Sequence, residues 1–221
     1  MDIVSLKSEG NERPTTQGSS LDTHLQITDI RQAVKNGNRV NIFINGKYDF
    51  SLDISQLVDF KLKVGQEITE QELEKYHKAS SYGKLYQRTL EWVLTRPHSI
   101  KEARDYLFKK HAEKEDSEKI LKTLQEKSYL DDEAFAKFYV ENRFVKKGIS
   151  KKRLELELAK KGVDKQIVED ALENSERSDE EEIKKIIAKK RNKYDDEKLI
   201  AYLTRQGFSY QLSKDLVLGT D

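Results

Sequence analysis

The sequence contains no cysteine, which removes disulfides, thiolate zinc sites and thiol nucleophiles together. Proline is nearly absent as well, with Pro14 near the start and Pro97 between helical stretches. Neither sign of charge is in excess: 41 Lys and Arg stand against 40 Asp and Glu, a net charge of +1. A global field therefore does not hold this chain to DNA, although local basic runs still count. No apolar run approaches the ~20 residues that a membrane span needs. The opening MDIVSLKSEGNERPTTQGSS has neither the basic cap nor the apolar stretch of a secretory signal, so a soluble cytoplasmic protein is expected. His24, His77, His98 and His111 form no pair at metal-ligand spacing and are expected as isolated surface residues; no metal or cofactor is expected. No Ser, His and Asp arrangement, glycine-rich phosphate loop or paired-carboxylate motif is found. Non-enzymatic functions come first.

What is present is charge and periodicity. Hydrophobic residues make up 36% and charged residues 37% of 221, too apolar for disorder throughout and too polar for one large globule. Thin, elongated packing follows. Residues 1–22 lack periodicity and read as a disordered arm. In RVNIFINGKYDFSLD, Val40, Ile42 and Ile44 precede Asn45-Gly46, and Tyr48, Phe50 and Leu52 follow it. Period-two apolar residues around Asn-Gly predict a β-hairpin, because both central residues of a type I′ turn need positive φ. QITDIRQAV and VDFKLKVG are read as further strands. Thr69 followed by Glu72 forms a capping box that starts a helix leading out of this sheet.

From about Ser80 onward only helical patterns occur, and they repeat. At an offset of 45, Leu154 matches Leu199, Leu158 matches Leu203, Gly162 matches Gly207 and Ile167 matches Leu212. At an offset of 48, Phe135, Phe138, Tyr139 and Arg143 match Ile183, Ile186, Ile187 and Arg191. A fainter copy has Ala103, Leu107, Ile120 and Leu124 at corresponding places. RLELELAK alone alternates like a strand. Only Leu154 and Leu158, four apart, keep apolar counterparts in the next copy, which means one helix face. Ser99 with Glu102 and Ser178 with Glu181 read as capping boxes, Asp164 as an N-cap, and Gly148, Gly162 and Gly207 as helix ends. The predicted fold is mainly α: tandem three-helix units in an elongated curved rod, preceded by a small β-rich domain. The boundaries are 23–80 for the β-rich domain and 81–129, 130–176 and 177–221 for the three repeats.

Asp131, Asp132 and Glu133 stand at the first turn of a leading helix, where carboxylates complement unpaired N–H groups and the positive dipole end. Consecutive helical residues point ~100° apart, so the three do not converge on a metal ion. Phe135, Phe138 and Tyr139 have aliphatic counterparts in the next repeat and read as core. Arg143, Lys146, Lys147, Lys151, Lys152 and Arg153 gather around the first interhelical turn of the middle unit, and Lys160 and Lys161 end its second helix. These are the candidate partner-binding residues. They read either as a solvated face with Lys at helix C-termini or as a ridge facing phosphates or an acidic partner.

LTRPHSIKEARDYL (94–107) and YLDDEAFAKFYVENRFVKKGISKKRLELELAKKGVD (129–164) resemble the RecX family of recombination regulators. Arg96, Ser99 and Glu102 match one element of its pattern. Asp132, Phe135, Ala136, Arg143, Lys147, Gly148, Glu157, Leu158, Lys161, Gly162 and Val163 match the other. Ala103 replaces a usual Leu, and the last repeat keeps little beyond its apolar frame. The resemblance implies a small helical regulator without a catalytic centre, and a monomer is expected. Such a regulator lies in the groove of the RecA filament on single-stranded DNA and inhibits filament growth, ATP hydrolysis and strand exchange; weak contact with double-stranded DNA fits the same picture. The rival reading is direct DNA binding, because ELAKKGVDKQIVEDAL superficially resembles a helix-turn-helix.

Overall fold

The structure is a computed structural model and describes residues 24–34, 36–143, 148–176 and 178–219. The expected arm at 1–22 lies outside the described residues, as do Lys146 and Lys147. The chain divides into two compact units, up to Ser80 and from Ser81.

The first unit is built on four antiparallel strands, β1 (Leu25–Ala33), β2 (Asn36–Ile44), β3 (Lys47–Asp53) and β4 (Glu67–Ile68), in the order β3-β2-β1-β4. The Asn45-Gly46 turn forms as expected, with φ of 50° and 79°. Ile27, Val40, Ile42, Ile44, Phe50 and Leu52 line one buried face. Tyr48 departs from the alternation. Between the Ile42–Phe50 and Phe43–Tyr48 pairs, β2 advances one residue and β3 two, a bulge that turns Tyr48 onto the other face against Phe43. The extra residue, Asp49, meets His77.

The strand expected over VDFKLKVG does not form: its first three residues end a helix and the other five are turn and loop. Helix α1 (Ile54–Phe60) follows β3 directly, started by a capping box in which Gln56 N–H donates to Asp53 and Asp53 N–H to the Gln56 side chain. That Asp-x-x-Gln signal outweighed the apparent alternation, and Leu57 and Phe60 pack on the sheet core. The Thr69–Glu72 box forms at the start of α2 (Glu70–Val93).

Among its described residues the second unit has helices and no strand, and a three-helix pattern repeats along it. The latter part of α2 packs with α3 (Ile100–Lys109) and α4 (Lys114–Glu126). The next module is α5 (Asp132–Asn142), α6 (Lys151–Lys160) and α7 (Lys165–Glu173), and the last is α8 (Asp179–Lys190), α9 (Asp196–Arg205) and α10 (Tyr210–Leu218). Each module has its own core. Phe135, Leu154 and Leu158 are fully buried in one, Ile183, Leu199 and Leu203 in the next, each contributing about 1.5–3 kcal/mol.

One junction joins successive modules and occurs twice. At the start of α3, Ser99 Oγ accepts Glu102 N–H (3.1 Å) and donates to the Lys161 carbonyl at the end of α6 (2.8 Å). At the start of α6, Ser150 Oγ accepts Arg153 N–H (3.2 Å) and donates to the Gln206 carbonyl at the end of α9 (2.9 Å). Beside each serine the first helical N–H is satisfied by a carboxylate of the next module: Ile100 N–H by Asp132 and Lys151 N–H by Asp179, both at 2.9 Å. The contact sets a helix N-terminus against a helix C-terminus, so the dipoles align favourably. Gly162 and Gly207 follow the two C-termini with φ of 77° and 92°, and a Cβ there would lie 2.9 Å from Lys101 Cβ and 2.6 Å from Ser150 Oγ. At the corresponding place in the first module His111 is exposed and adopts φ of 57°.

Two expected capping boxes are corrected by this arrangement. Ser99 caps α3, but the Glu102 carboxylate is drawn into ion pairs with Arg96 and Lys161 and a hydrogen bond with His98. Ser178 caps α8 through Glu180 N–H rather than through Glu181. Asp164 caps α7 as read. Gly148 lies two residues before the N-cap Ser150, and a Cβ on it would fall 2.7 Å from Ile186 of α8.

At Ser150, which is fully buried, capping and junction are separable. Ser150→Ala is expected to cost about 1–2 kcal/mol through the lost cap and donor. Ser150→Asp should cost more, although Asp caps as well as Ser, because a carboxylate cannot donate to the Gln206 carbonyl. Urea unfolding followed by helical circular dichroism measures the order; equal stability of the Asp variant and the parent refutes the junction's role.

Candidate functional site

The expected basic residues divide into those that build the module junctions and those that project from them. Arg143, at the C-cap of α5, donates to both oxygens of Glu157 on α6, with Nε at 2.9 Å. Arg153 lies 3.6 Å from the same carboxylate and donates to the Gln206 side chain of the last module at 2.9 Å. Tyr139 Oη donates to Glu157 as well, at 2.8 Å. Lys161 pairs with Glu102 across the first junction, and its ammonium lies 5.4 Å from the Tyr139 ring centre. Lys151 Nζ donates to the Leu172 carbonyl, tying α6 to the end of α7. Lys152 and Lys160 are exposed.

A polar strip thus crosses all three modules: Arg96, Glu102 and Lys161 at the first junction, then Arg143, Glu157, Arg153 and Gln206 toward the second. Two cavities open along it. One, of about 200 Å³, is lined by Arg96, Phe138, Tyr139, Asn142, Arg143 and Lys161. The other, of about 420 Å³, lies between the middle and last modules and has Lys152, Arg153, Lys160 and Arg205 around Leu156, Glu157 and the Gly207 turn. Seven cations and one carboxylate line the two. Phe138, expected in the core, is half-buried and forms a wall of the smaller cavity, whereas Phe135 is fully buried.

The opposite character appears between α5 and α7. A cavity of about 360 Å³ there is lined by Glu133, Glu141 and Asp170 with one cation, Lys137, over Val140, Ile167 and Ala171. The three carboxylates at the start of α5 accordingly have separate tasks. Asp131 caps its own helix through Glu133 and Ala134 N–H, Asp132 serves the junction, and Glu133 faces this cavity.

Two residues of the strip escaped the sequence reading as site residues. Arg205 occupies the place of Lys160 at the repeat offset of 45, so the signal was present. Arg96 precedes its helix and had only its place in the family-like motif to mark it.

Glu102 is the electrostatic centre of the first junction. Burial opposes its charge, but hydrogen bonds and charges from Lys161 and Arg96 outweigh that and hold the carboxyl at about 2. His98 is buried rather than on the surface, 3% exposed, packed at a tilt against Trp92, with Nδ1 3.0 Å from Glu102 and Nε2 buried without a hydrogen-bond partner. Burial, and secondarily the Arg96 charge, lower its pKa below 6.5. Both groups destabilise the fold on acidification. The unfolded chain takes up the His98 proton below 6.5, and the Glu102 contribution, complete above 4.5, is lost as pH falls toward 2. The Glu102 shift corresponds to at most about 3 kcal/mol. Urea midpoints should fall steadily below pH 6.5 and most steeply below 4.5. Glu102→Gln should flatten the lower limb; an unchanged limb in that variant refutes the assignment.

Comparison with known proteins places these features in a family. Residues 25–69 match the family model described as the N-terminal domain of regulatory protein RecX, and residues 131–172 match that of the RecX second three-helix domain. A protein of Listeria monocytogenes serotype 4a named regulatory protein RecX is 32% identical over 200 residues, spanning 86% of this chain and 74% of the relative. Its namesake from Bacillus licheniformis is 32% identical over 203 residues, spanning 88% and 77%. A crystal structure of regulatory protein RecX superposes with a TM-score of 0.70 at 26% identity, covering 87% of this chain and 98% of the other. That of RecX from Lactobacillus salivarius shares the fold, with a TM-score of 0.53 at 23% identity over 62% of this chain and 95% of the other. The sheet, the repeated three-helix modules and the identity across most of the length agree: the chain belongs to the RecX family of regulatory proteins.

Proposed function

We propose that this protein binds RecA filaments on single-stranded DNA in their groove and inhibits filament extension, ATP hydrolysis and strand exchange. It does so as a cytoplasmic monomer with no catalytic centre of its own. The observation that carries this reading is the cationic lining of the two junction cavities, spread over three modules joined by one repeated contact. Weak contacts tethered in this way gain affinity through effective concentration, so no single hot spot is needed. Charge on the rim sets encounter rate and salt dependence. Arg143, Lys151, Arg153 and Lys161 are held by intramolecular partners and set the geometry of the face, whereas Lys152, Lys160 and Arg205 project. Lys146 and Lys147 complete the proposed surface on sequence grounds.

The helix-turn-helix reading finds less support. In α7, which would have to enter a duplex groove, Glu169, Asp170 and Glu173 accompany Lys165 outside the core. Carboxylates there oppose phosphate. Among the described residues no helix is long and apolar enough to cross a membrane.

Single-stranded-DNA-stimulated ATP hydrolysis by the recombinase, with this protein titrated up to equimolar, tests the reading. Inhibition is expected, and no effect at equimolar protein overturns it. Lys152→Glu, Lys160→Glu and Arg205→Glu combined should raise the half-inhibitory concentration about tenfold or more and leave the circular dichroism spectrum unchanged. Undiminished inhibition by that variant removes the basic face from the interface.

A further inference from the structure

The last module carries aromatic side chains that its repeat frame does not require. The frame is Leu199, Leu203, Phe208 and Leu212, matching Leu154, Leu158, Val163 and Ile167 of the middle module. Tyr202 stands where the middle module has Glu157, and Tyr210 where it has Lys165. Tyr210 is 58% exposed and Tyr194 36%. The packing of the frame does not account for two such exposed rings on one recess.

They form the walls of a cavity. Tyr194, Ala201 and Tyr210, with Lys198, Thr204 and Arg205, line a recess of about 450 Å³. Tyr194 is backed by Tyr202, ring centres 6.0 Å apart and planes 19° from parallel. Lys190 lies over both rings, 4.5 Å from the centre of Tyr202 and 5.3 Å from that of Tyr194. The tyrosine wall is thereby braced. Lys198 Nζ is held by Asp195 at 2.6 Å. Thr204 and Arg205 also line the cationic cavity between the middle and last modules, so the aromatic recess continues the basic strip.

We propose that this recess is a base-stacking site for single-stranded nucleic acid. Phosphates follow the cationic strip toward Arg205, and an unpaired base enters against Tyr194 and Tyr210. Stacking on an aromatic ring accepts any base, since every base has a π face. A duplex keeps its bases within the stack, and an acidic peptide has no planar group to match the rings, so a single strand fits the combination best. The proposal rests on the filament reading for its setting, since such a filament is built on a single strand.

The test uses the full chain and a labelled oligothymidylate without recombinase, read by fluorescence anisotropy. Tyr194→Ala with Tyr210→Ala is expected to weaken binding about five- to hundredfold, and Tyr194→Phe with Tyr210→Phe to retain it. An abasic strand of equal length should bind the parent and the Ala variant alike. Parent-level oligothymidylate binding by the Ala variant overturns the proposal, as does equal loss on the abasic strand, or a preference of the parent for duplex or for polyglutamate. Recombinase inhibition is assayed separately in the same variants. Loss of oligothymidylate binding with no inhibition by the parent leaves the slot standing and the filament reading refuted; undiminished stacking-independent inhibition with unaltered oligothymidylate binding refutes the slot alone.

Discussion

The helical unit depends on one hydroxyl used twice. Ser99 and Ser150 each accept from their own helix and donate to the last turn of the corresponding helix in the next module. A three-helix module has little core, and stacking succeeds only if the helix ends that meet at the interface satisfy each other's polar groups. Serine is suited to this because one hydroxyl is both donor and acceptor. In the last module Asp195 occupies the place of Ser150 and caps α9 through Lys198 N–H. A carboxylate has no proton to offer a further carbonyl.

The charged strip grows from these junctions. Glu102 gathers Arg96 from its own module and Lys161 from the next, whereas Glu157 gathers Arg143 and Arg153 within the middle module, and Arg153 carries the link on to Gln206 of the last. The carboxylates lower the cost of crowding so many cations into a narrow band, while their number leaves the band strongly positive. Bridged and projecting charges are thus neighbours on α6, separated by which way they leave the helix. The middle module presents acid on the α5 and α7 side and base at its junctions, so its surface is oriented in charge rather than uniform.

Much of this is legible in the sequence. The Asn-Gly hairpin, the Thr69–Glu72 box and the spacing of Leu154 and Leu158 against Leu199 and Leu203 are local or periodic signals, and each has one structural solution. The misses share a cause. VDFKLKVG alternates over too short a span to outweigh an Asp-x-x-Gln start. Tyr48 was displaced by a one-residue bulge, which pattern counting cannot see. Glu102 stands at the spacing of a capping box, yet a residue 59 positions away in the chain, Lys161, claimed its carboxylate. Phe138 matched an aliphatic neighbour in the repeat and still came to rest on a cavity wall.

The sequence by itself determined the helical repeat, the sheet at its front and the kinds of residue available for recognition, because periodicity and capping act over one or two turns. Only the tertiary structure decided which cations are free. Arg153 and Lys152 are adjacent in the chain, but one bridges to Gln206 and the other enters water. That distinction depends on where the next module's helix ends, a distance through space that no local pattern encodes.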